Sequence, residues 1–456
     1  MTENRKAYEI DLAKPRDAGS SISDAVMLTL LFFIFICSSW DKFMSINVHG
    51  YNIRLASIIL IPLIISGAKR IAIEHLRIRK DLKWLFLAFT VNLFAQFGQG
   101  LHSQEVAQSL QFLYMLFLVC SAGYMSSRNE LINIAISLYI YSFVAMGIFG
   151  IYQFFIARFG FIPYGVEQWW IEFVFPRVNG LSYEPSYYAQ YMLIGWSVVY
   201  FRAFDPNQQS PSMENKTLYF IFSILSSAIV LSSSRVMIAL MFAVMTYRLL
   251  LSVIMSRPYI FLLKLIIALM LSGSLLFFYV RDLDFYGKAI NRSAEYVMTQ
   301  NTGVAANGSN SLDSRINNAY STFRVFLDHP ILGVSFGGIP YEIAKERGEE
   351  IQEYSDYKRN QGNTVAFEVM AAVGLPGFIF FLLWLRSLIQ QCFIAIPTLP
   401  FSKWTLPFIA GLLVEILAMQ FNQNIFRLYF WIHVAFISVL SFNKSNYHSG
   451  AADSPR

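Results

Sequence analysis

Apolar runs of about 17 to 22 residues, the length that crosses a hydrocarbon core, recur along nearly all of this 456-residue chain, with short polar stretches between them. They predict spans near 22–40, 51–68, 84–100, 107–124, 132–157, 186–203, 217–232, 236–254, 262–279, 364–385, 404–421 and 427–442. Between the ninth and tenth spans lies residues 280–363, far longer than any other connection; long loops of this kind usually carry function. The pattern predicts an all-α polytopic membrane protein with about twelve transmembrane helices and one large, partly helical loop. Its expected organisation is a bundle of nine spans over 1–279, the loop over 280–363, three further spans over 364–442 and a polar tail over 443–456.

Inside the loop, Asp313 to Asp328 reads as an amphipathic helix, because Ile316, Ala319, Tyr320, Phe323, Phe326 and Leu327 fall on one face at helical spacing. Pro330, Gly333, Gly337 and Gly338 are expected to stop that helix and turn the chain. Residues 301–311, rich in Gly, Asn and Ser, read as a flexible stretch. At about 100° per residue, Arg315 and Arg324 sit on opposite edges of the apolar stripe.

Composition agrees with a membrane solvent: 55% of residues are hydrophobic, 16% aromatic and only 14% charged, which excludes an ordinary soluble domain. The formal charge of +6 does not point to nucleic acid, because Lys and Arg gather beside the spans, at Lys69-Arg70 and from Arg77 to Lys83. By the positive-inside rule these segments and both termini are cytoplasmic, and parity then places 158–185, 233–235 and 280–363 on the outer side. The first apolar run lacks a small-residue cleavage signal and reads as a retained anchor. Cys37, Cys120 and Cys392 lie within apolar runs at spacing that suits neither disulfides nor a metal.

An arginine at the edge of a span costs about 2.5 to 3.5 kcal/mol on insertion scales unless a cavity, a headgroup or a partner receives it. Arg235 follows three serines in an expected tight outer turn, where it can snorkel to lipid phosphates or serve as a fixed cation for a diphosphate. Arg177 and Glu184 flank a helix start at Pro185, where backbone N–H groups and the helix dipole favour an anion. Glu184 can cap that helix, pair with Arg177 or take part in catalysis. Trp169 and Trp170 can stack on sugars or belong to an interfacial aromatic belt. The pair Asp282 and Asp284 sits at a span end and reads as solvated carboxylates, so no metal is expected. No phosphate loop, dinucleotide fingerprint, nucleophile elbow or zinc spacing occurs.

Three motifs resemble the O-antigen polymerase and O-antigen ligase superfamily. They are Arg177-Val-Asn-Gly-Leu-Ser-Tyr-Glu-Pro-Ser, the pair Ser234-Arg235, and a block from Ser314-Arg315 through Asp328-His-Pro-Ile-Leu-Gly to Gly362-Asn363 and Gly374-Leu-Pro-Gly377. The resemblance implies glycosyl transfer on the periplasmic face of a bacterial inner membrane, from an undecaprenyl-diphosphate-linked glycan, with no nucleotide sugar, metal or cofactor. By similarity Arg235 and Arg315 would hold the diphosphate leaving group, with Glu184 as a third catalytic candidate. Arg177, Arg324, Asn363 and Tyr183 are the candidate substrate-binding residues.

The ligase branch of the family usually carries a His directly before the Asn that opens the tenth span; here that position is Gly362. His329, in the expected helix stop, is a poor substitute. The reading is a polymerase that joins lipid-linked repeat units by one inverting displacement, for O-antigen, capsule or exopolysaccharide. A ligase acting on lipid A core, a lipid-linked oligosaccharide transporter and a non-catalytic scaffold are the alternatives. Intramembrane charges that a transporter would need are few, Glu368 and Glu415 among them. A flippase and a chain-length regulator are expected partners because polymerases of this kind work with them.

Overall fold

The computed structural model describes residues 18–40, 45–48, 51–73, 81–99, 103–121, 129–166, 168–171, 175–205, 213–254, 310–351, 356–357, 360–362, 364–395, 402–421 and 425–442. The expected span 262–279, the flexible stretch 301–309, Asp282, Asp284 and Asn363 lie outside these residues, as does the side chain of Arg315.

The described chain is helical apart from two short antiparallel hairpins. Eight helices come first: α1 Ala18–Cys37, α2 Leu55–Ile73, α3 Leu82–Gln99, α4 Ser103–Ser121, α5 Asn129–Arg158, α6 Pro185–Ala203, α7 Met213–Leu231 and α8 Arg235–Ile254. After the undescribed stretch come α9 Asn310–Asp328, α10 Ser335–Glu346, α11 Val365–Ala395, α12 Ser402–Ala418 and α13 Leu428–Phe442. Each expected span that falls on described residues coincides with one of these helices to within several residues, except that α11 runs on to Ala395, beyond the expected end of the tenth span at 385. By length and apolarity alone, Leu131–Arg158 and Val365–Phe393 are long enough to cross a membrane; the other apolar stretches among the described residues are shorter.

One hairpin pairs β1 Ser45–Val48 with β2 Tyr51–Arg54 and shifts the start of the second expected span to Leu55. The same helix runs on to Ile73, so Lys69 and Arg70, expected in a loop, are helical. The other hairpin pairs β3 Trp169–Ile171 with β4 Phe175–Pro176.

The centre of the bundle is α6, which packs against α7 and α12. Its sequence is apolar or small on every side, and almost all of its residues are buried. Lipid offers no hydrophobic drive between helices, so close packing and interhelical hydrogen bonds must hold them together. Gln190 Nε2 of α6 donates to Glu415 Oε1 of α12 at 2.8 Å, and Trp196 Nε1 donates to Ser226 Oγ of α7 at 2.9 Å. Tyr139 Oη of α5 meets His433 Nδ1 of α13 at 3.1 Å, and Asn92 Nδ2 of α3 donates to Ser109 Oγ of α4 at 3.0 Å. Such bonds contribute about 1 kcal/mol each inside a bilayer. The outward faces carry large apolar side chains, Phe94 (62% exposed) and Phe97 (72%) among them, as a surface facing lipid requires.

The second half of the long loop folds back onto the bundle. α9 and α10 both pack on α11, and α10 also touches α3 and α4. Three observations correct or extend the sequence reading here. Gly337 and Gly338 do not stop a helix; they lie inside α10, whose close approach to α4 leaves no room for a Cβ at Gly337 against the backbone of Glu105. The apolar stripe of α9 is divided: Ile316, Tyr320 and Leu327 are exposed, whereas Phe323 packs on Phe367 at 5.1 Å between centroids and Phe326 lies half-buried against the core, beside the buried Asn318, Ser321, Thr322 and Val325. In a membrane protein the outer surface can be the apolar one, so part of the stripe is left on the outside while small polar residues face protein. Third, α11 is not one continuous span. It breaks at Gly374, whose φ of 61° and ψ of −174° are open only to glycine, and Pro376 follows within the same turn.

The break and the turn after α9 interlock. Leu375 N–H donates to Pro330 O at 2.8 Å and Val334 N–H to Ala371 O at 2.9 Å. A Cβ on Gly333, whose φ is +73°, would strike the carbonyl of Ala372; one on Gly374 would strike that of Ile331. Two glycines therefore let two backbones meet, and this fixes α10 over the N-terminal stub of α11.

Candidate functional site

The segment before α6 is held as a rigid block. Asn179 Nδ2 donates to Gly165 O (2.9 Å) and Ser182 O (2.8 Å), and Gln153 clamps Gly180 through its N–H and its carbonyl. Ser182 Oγ donates to Ser39 O at the end of α1. Arg177 follows directly on β4, half-buried; its N–H donates to Gln168 O at 2.9 Å and its Nη1 to Gln168 Oε1 at 2.8 Å. Glu184 occupies the N-cap position of α6 with extended backbone, and Pro185 stands in the first turn. Its carboxylate does not cap the helix; it accepts from Ser186 Oγ at 3.2 Å. Tyr183 beside it is exposed.

Val178 N–H donates to Leu231 O at 3.3 Å, so this block sits on the turn that joins α7 to α8. That turn is as tight as its three serines suggest. Ser232 Oγ donates to Ile229 O and accepts from Ser234 N–H, while Ser233 adopts a left-handed φ of 55°. Non-glycine residues held in that region concentrate at functional sites. Arg235 is the first residue of α8 and is exposed, so it stands at the positive end of a helix dipole close to the Arg177 block.

The structure adds a cation that the sequence did not single out. The guanidinium carbon of Arg427, just before α13, lies 3.8 Å from the centroid of the Tyr187 ring, in the first turn of α6. Its neighbour Phe426 stacks edge-on against Phe336 of α10 at 5.1 Å between centroids. The same Phe426 lines a small pocket, roomy enough for about one water, together with Gln108, Phe336, Ile339, Pro340, Gln361, Gly362 and Glu368. Residues 426–427 thus join the Arg177–Glu184 block to the cleft beneath α10.

The remaining candidates fall on the folded-back loop. Arg315 lies in α9 one turn before Asn318, whose Nδ2 reaches Gln361 O at 3.4 Å. Arg324 points away from this cleft: Nη1 bonds Glu346 Oε1 at 2.7 Å and the guanidinium lies over the Tyr320 ring at 4.9 Å. That bond raises the pKa of a group that is already a permanent cation. With 53% of the side chain exposed, salt screens the pair, so Glu346→Gln is expected to leave the thermal unfolding midpoint unchanged within error. A clear fall in the midpoint would contradict that. His329 ends α9, 3.9 Å from Glu342, in the helix stop the sequence predicts.

A helical bundle whose outward faces carry large apolar side chains has the build of a membrane protein. Residues 220–382 match a family described as O-Antigen ligase, the superfamily that the three motifs resemble. The segment takes in Arg235, Arg315, Arg324, Gly362 and Glu368; Arg177, Tyr183 and Glu184 precede it. No curated protein matches the chain.

Proposed function

We propose that this protein is a polymerase that joins undecaprenyl-diphosphate-linked repeat units on the periplasmic face of the inner membrane. The helices that correspond to expected spans, completed by 262–279, make twelve spans with both termini cytoplasmic. The clustered end of the bundle is then periplasmic. Its partners are the lipid-linked oligosaccharides, with a flippase to supply them and a chain-length regulator to end elongation.

The anomeric carbon of the donor already carries diphosphate, so the chemistry asks chiefly for charge on the leaving oxygen to be neutralised. Arg235 and Arg315 serve that purpose, because a guanidinium stays protonated and offers a planar fork to phosphate oxygens. Arg177 fixes the block beside Arg235, Tyr183 and Asn363 bind glycan, and Arg324 steers from the outer surface. The acceptor hydroxyl attacks from the opposite face, giving inversion in one displacement without a metal.

The observation that favours a polymerase over a ligase is the packing at Gly362. A Cβ there would lie 2.7 Å from Glu368 Cγ, 2.8 Å from Glu368 Oε1 and 2.9 Å from Thr322 Oγ1, so a histidine at this position would have to displace the Glu368 and Thr322 side chains. The test is competition between acceptors. Purified protein in nanodiscs is given labelled lipid-linked repeat units together with lipid A core. Label is expected in longer lipid-linked glycans, and label on the core alone would make the protein a ligase.

A further inference from the structure

The break in α11 does more than lock the 330–334 turn. Val365 and Val369 of the stub before Gly374, and Phe381 and Leu385 beyond it, border one space, together with Ile416 of α12 and Phe430 of α13. On a straight helix Val365 and Leu385 would stand about 30 Å apart, so the break is what brings these walls around a single crevice. Its volume is about 100 Å³. Gln420 is the one polar side chain among the described residues that line it, and its amide is turned onto backbone: Oε1 accepts from Ala366 N–H at 3.3 Å and Nε2 donates to Ile416 O at 2.8 Å. A space lined in this way stays dry.

Both walls of α11 are pinned by hydrogen bonds. Val365 N–H donates to Met419 O at 3.3 Å and Thr364 Oγ1 to Gln420 O at 3.2 Å, which ties the start of the stub to the end of α12. Beyond the break, Leu375 N–H is held by Pro330 O. Leu382 borders the crevice and is 46% exposed, so the space opens on the outer apolar face of the bundle and what enters it comes from the bilayer. Ile425 borders it from the chain before α13, and the next two residues, Phe426 and Arg427, reach the cleft beneath α10 and the Tyr187 ring in the first turn of α6. The stub itself follows the Gly362-Asn363 motif directly in sequence.

We propose that this crevice seats the polyprenyl chain of the lipid-linked donor, holding one isoprene unit near the diphosphate; the inference rests on the polymerase reading and assigns a place to the lipid half of its substrate. The size agrees. A dry cavity of roughly 150 Å³ takes up benzene, and the smaller space here suits one branched isoprene unit, with the chain running out past Leu382 into lipid. Lipid tails are as apolar as these walls, so no hydrophobic drive pulls a chain in and the fit decides the occupant. Phe381 and Phe430 offer ring surface, and Val365, Val369 and Ile416 offer branched surface, to a flat unit that bears a methyl group. A straight acyl chain leaves part of that space unfilled and forfeits its dispersion contacts. Held here, the chain brings its diphosphate to the end of the bundle that carries Arg427 and the Arg177–Glu184 block, and so restricts where the anomeric carbon can lie.

The experiment uses full-length protein in phospholipid nanodiscs with undecaprenyl diphosphate that carries no glycan. Leu382, at the mouth of the crevice, is replaced by the photoreactive p-benzoyl-phenylalanine, and Phe33, on the outer face of α1 (51% exposed), is replaced in a control. After irradiation, mass spectrometry identifies what is attached at each position. Polyprenyl adducts are expected at 382 and not at 33, and an excess of lipid-linked repeat units should suppress them where added phospholipid does not. Phospholipid adducts alone at 382, or polyprenyl adducts equally frequent at both positions, would overturn the proposal.

Ile416→Trp, which fills the crevice from the α12 side, is measured in parallel. Binding of undecaprenyl diphosphate is expected to weaken by about fivefold or more, with the thermal unfolding midpoint kept. Binding by a folded Ile416→Trp protein within about twofold of wild type would count against the crevice, and if that variant does not fold, the adducts at 382 decide. Polyprenyl adducts at 382 in a protein that elongates nothing would remove the polymerase reading and leave the crevice standing. Elongation without such adducts would do the reverse.

Discussion

Arg235→Ala is expected to lower the elongation rate by about 10² to 10³-fold, the usual cost of removing one preorganised donor from developing negative charge. Arg235 sits at the first position of α8, where the helix dipole adds to its charge, and the left-handed Ser233 sets the direction of the chain entering that helix. The guanidinium is exposed, and the turn behind it is held by Ser232 and by Val178 N–H on Leu231 O, so its loss should not unfold the protein. Arg235→Lys keeps the charge and loses the fork, and should recover only part of the rate. Release of undecaprenyl diphosphate reads both variants. A rate for Arg235→Ala within about threefold of wild type would place the leaving group elsewhere.

The second large effect concerns the interlocked glycines. In Gly374→Ala the new Cβ faces a backbone conformation closed to alanine and the carbonyl of Ile331 at once. Strain in this region costs about 1 to 3 kcal/mol by itself, and the contact must add to it. Gly348 supplies the control. Its φ of +68° is also left-handed but nothing lies near its missing Cβ, so Gly348→Ala should show only backbone strain, about 1 kcal/mol. Thermal unfolding in detergent is expected to rank Gly374→Ala well below Gly348→Ala and wild type. Hydrogen exchange should show faster exchange over α10 in the Gly374 variant alone. Equal midpoints for the two variants would mean that the backbone contact between the 330–334 turn and α11 does not hold α10 in place.

Much of this architecture is written locally in the sequence. The runs of apolar residues mark the helices, the three serines before Arg235 mark a tight turn, and Pro185 marks the start of α6, because each signal depends on its own few residues. Gly337, Gly338 and Pro340 mislead for the opposite reason. As local signals they end a helix, whereas here Gly337 is small because the backbone of α4 passes against it. The stripe of α9 was legible as a stripe, but which side faces protein depends on whether the outside is water or lipid. Contacts between distant segments, such as Val178 with Leu231 or Phe426 with Phe336, leave no local trace. Arg427 looks like any cation at a span end until Tyr187 is found beneath it. Glu368 stood out as a charge within an apolar run, yet only the fold shows Gly362 packed against it.

The central claim is that the clustered end of this bundle transfers glycan from one lipid-linked repeat unit to another. The most direct measurement incubates purified protein in nanodiscs with undecaprenyl-diphosphate repeat units as the sole substrate, with no nucleotide sugar, and resolves the products by size. A ladder of lipid-linked glycans rising by whole repeat units, with one undecaprenyl diphosphate released at each step, is the expected result. Repeat units that remain single while wild-type protein stays folded would contradict it.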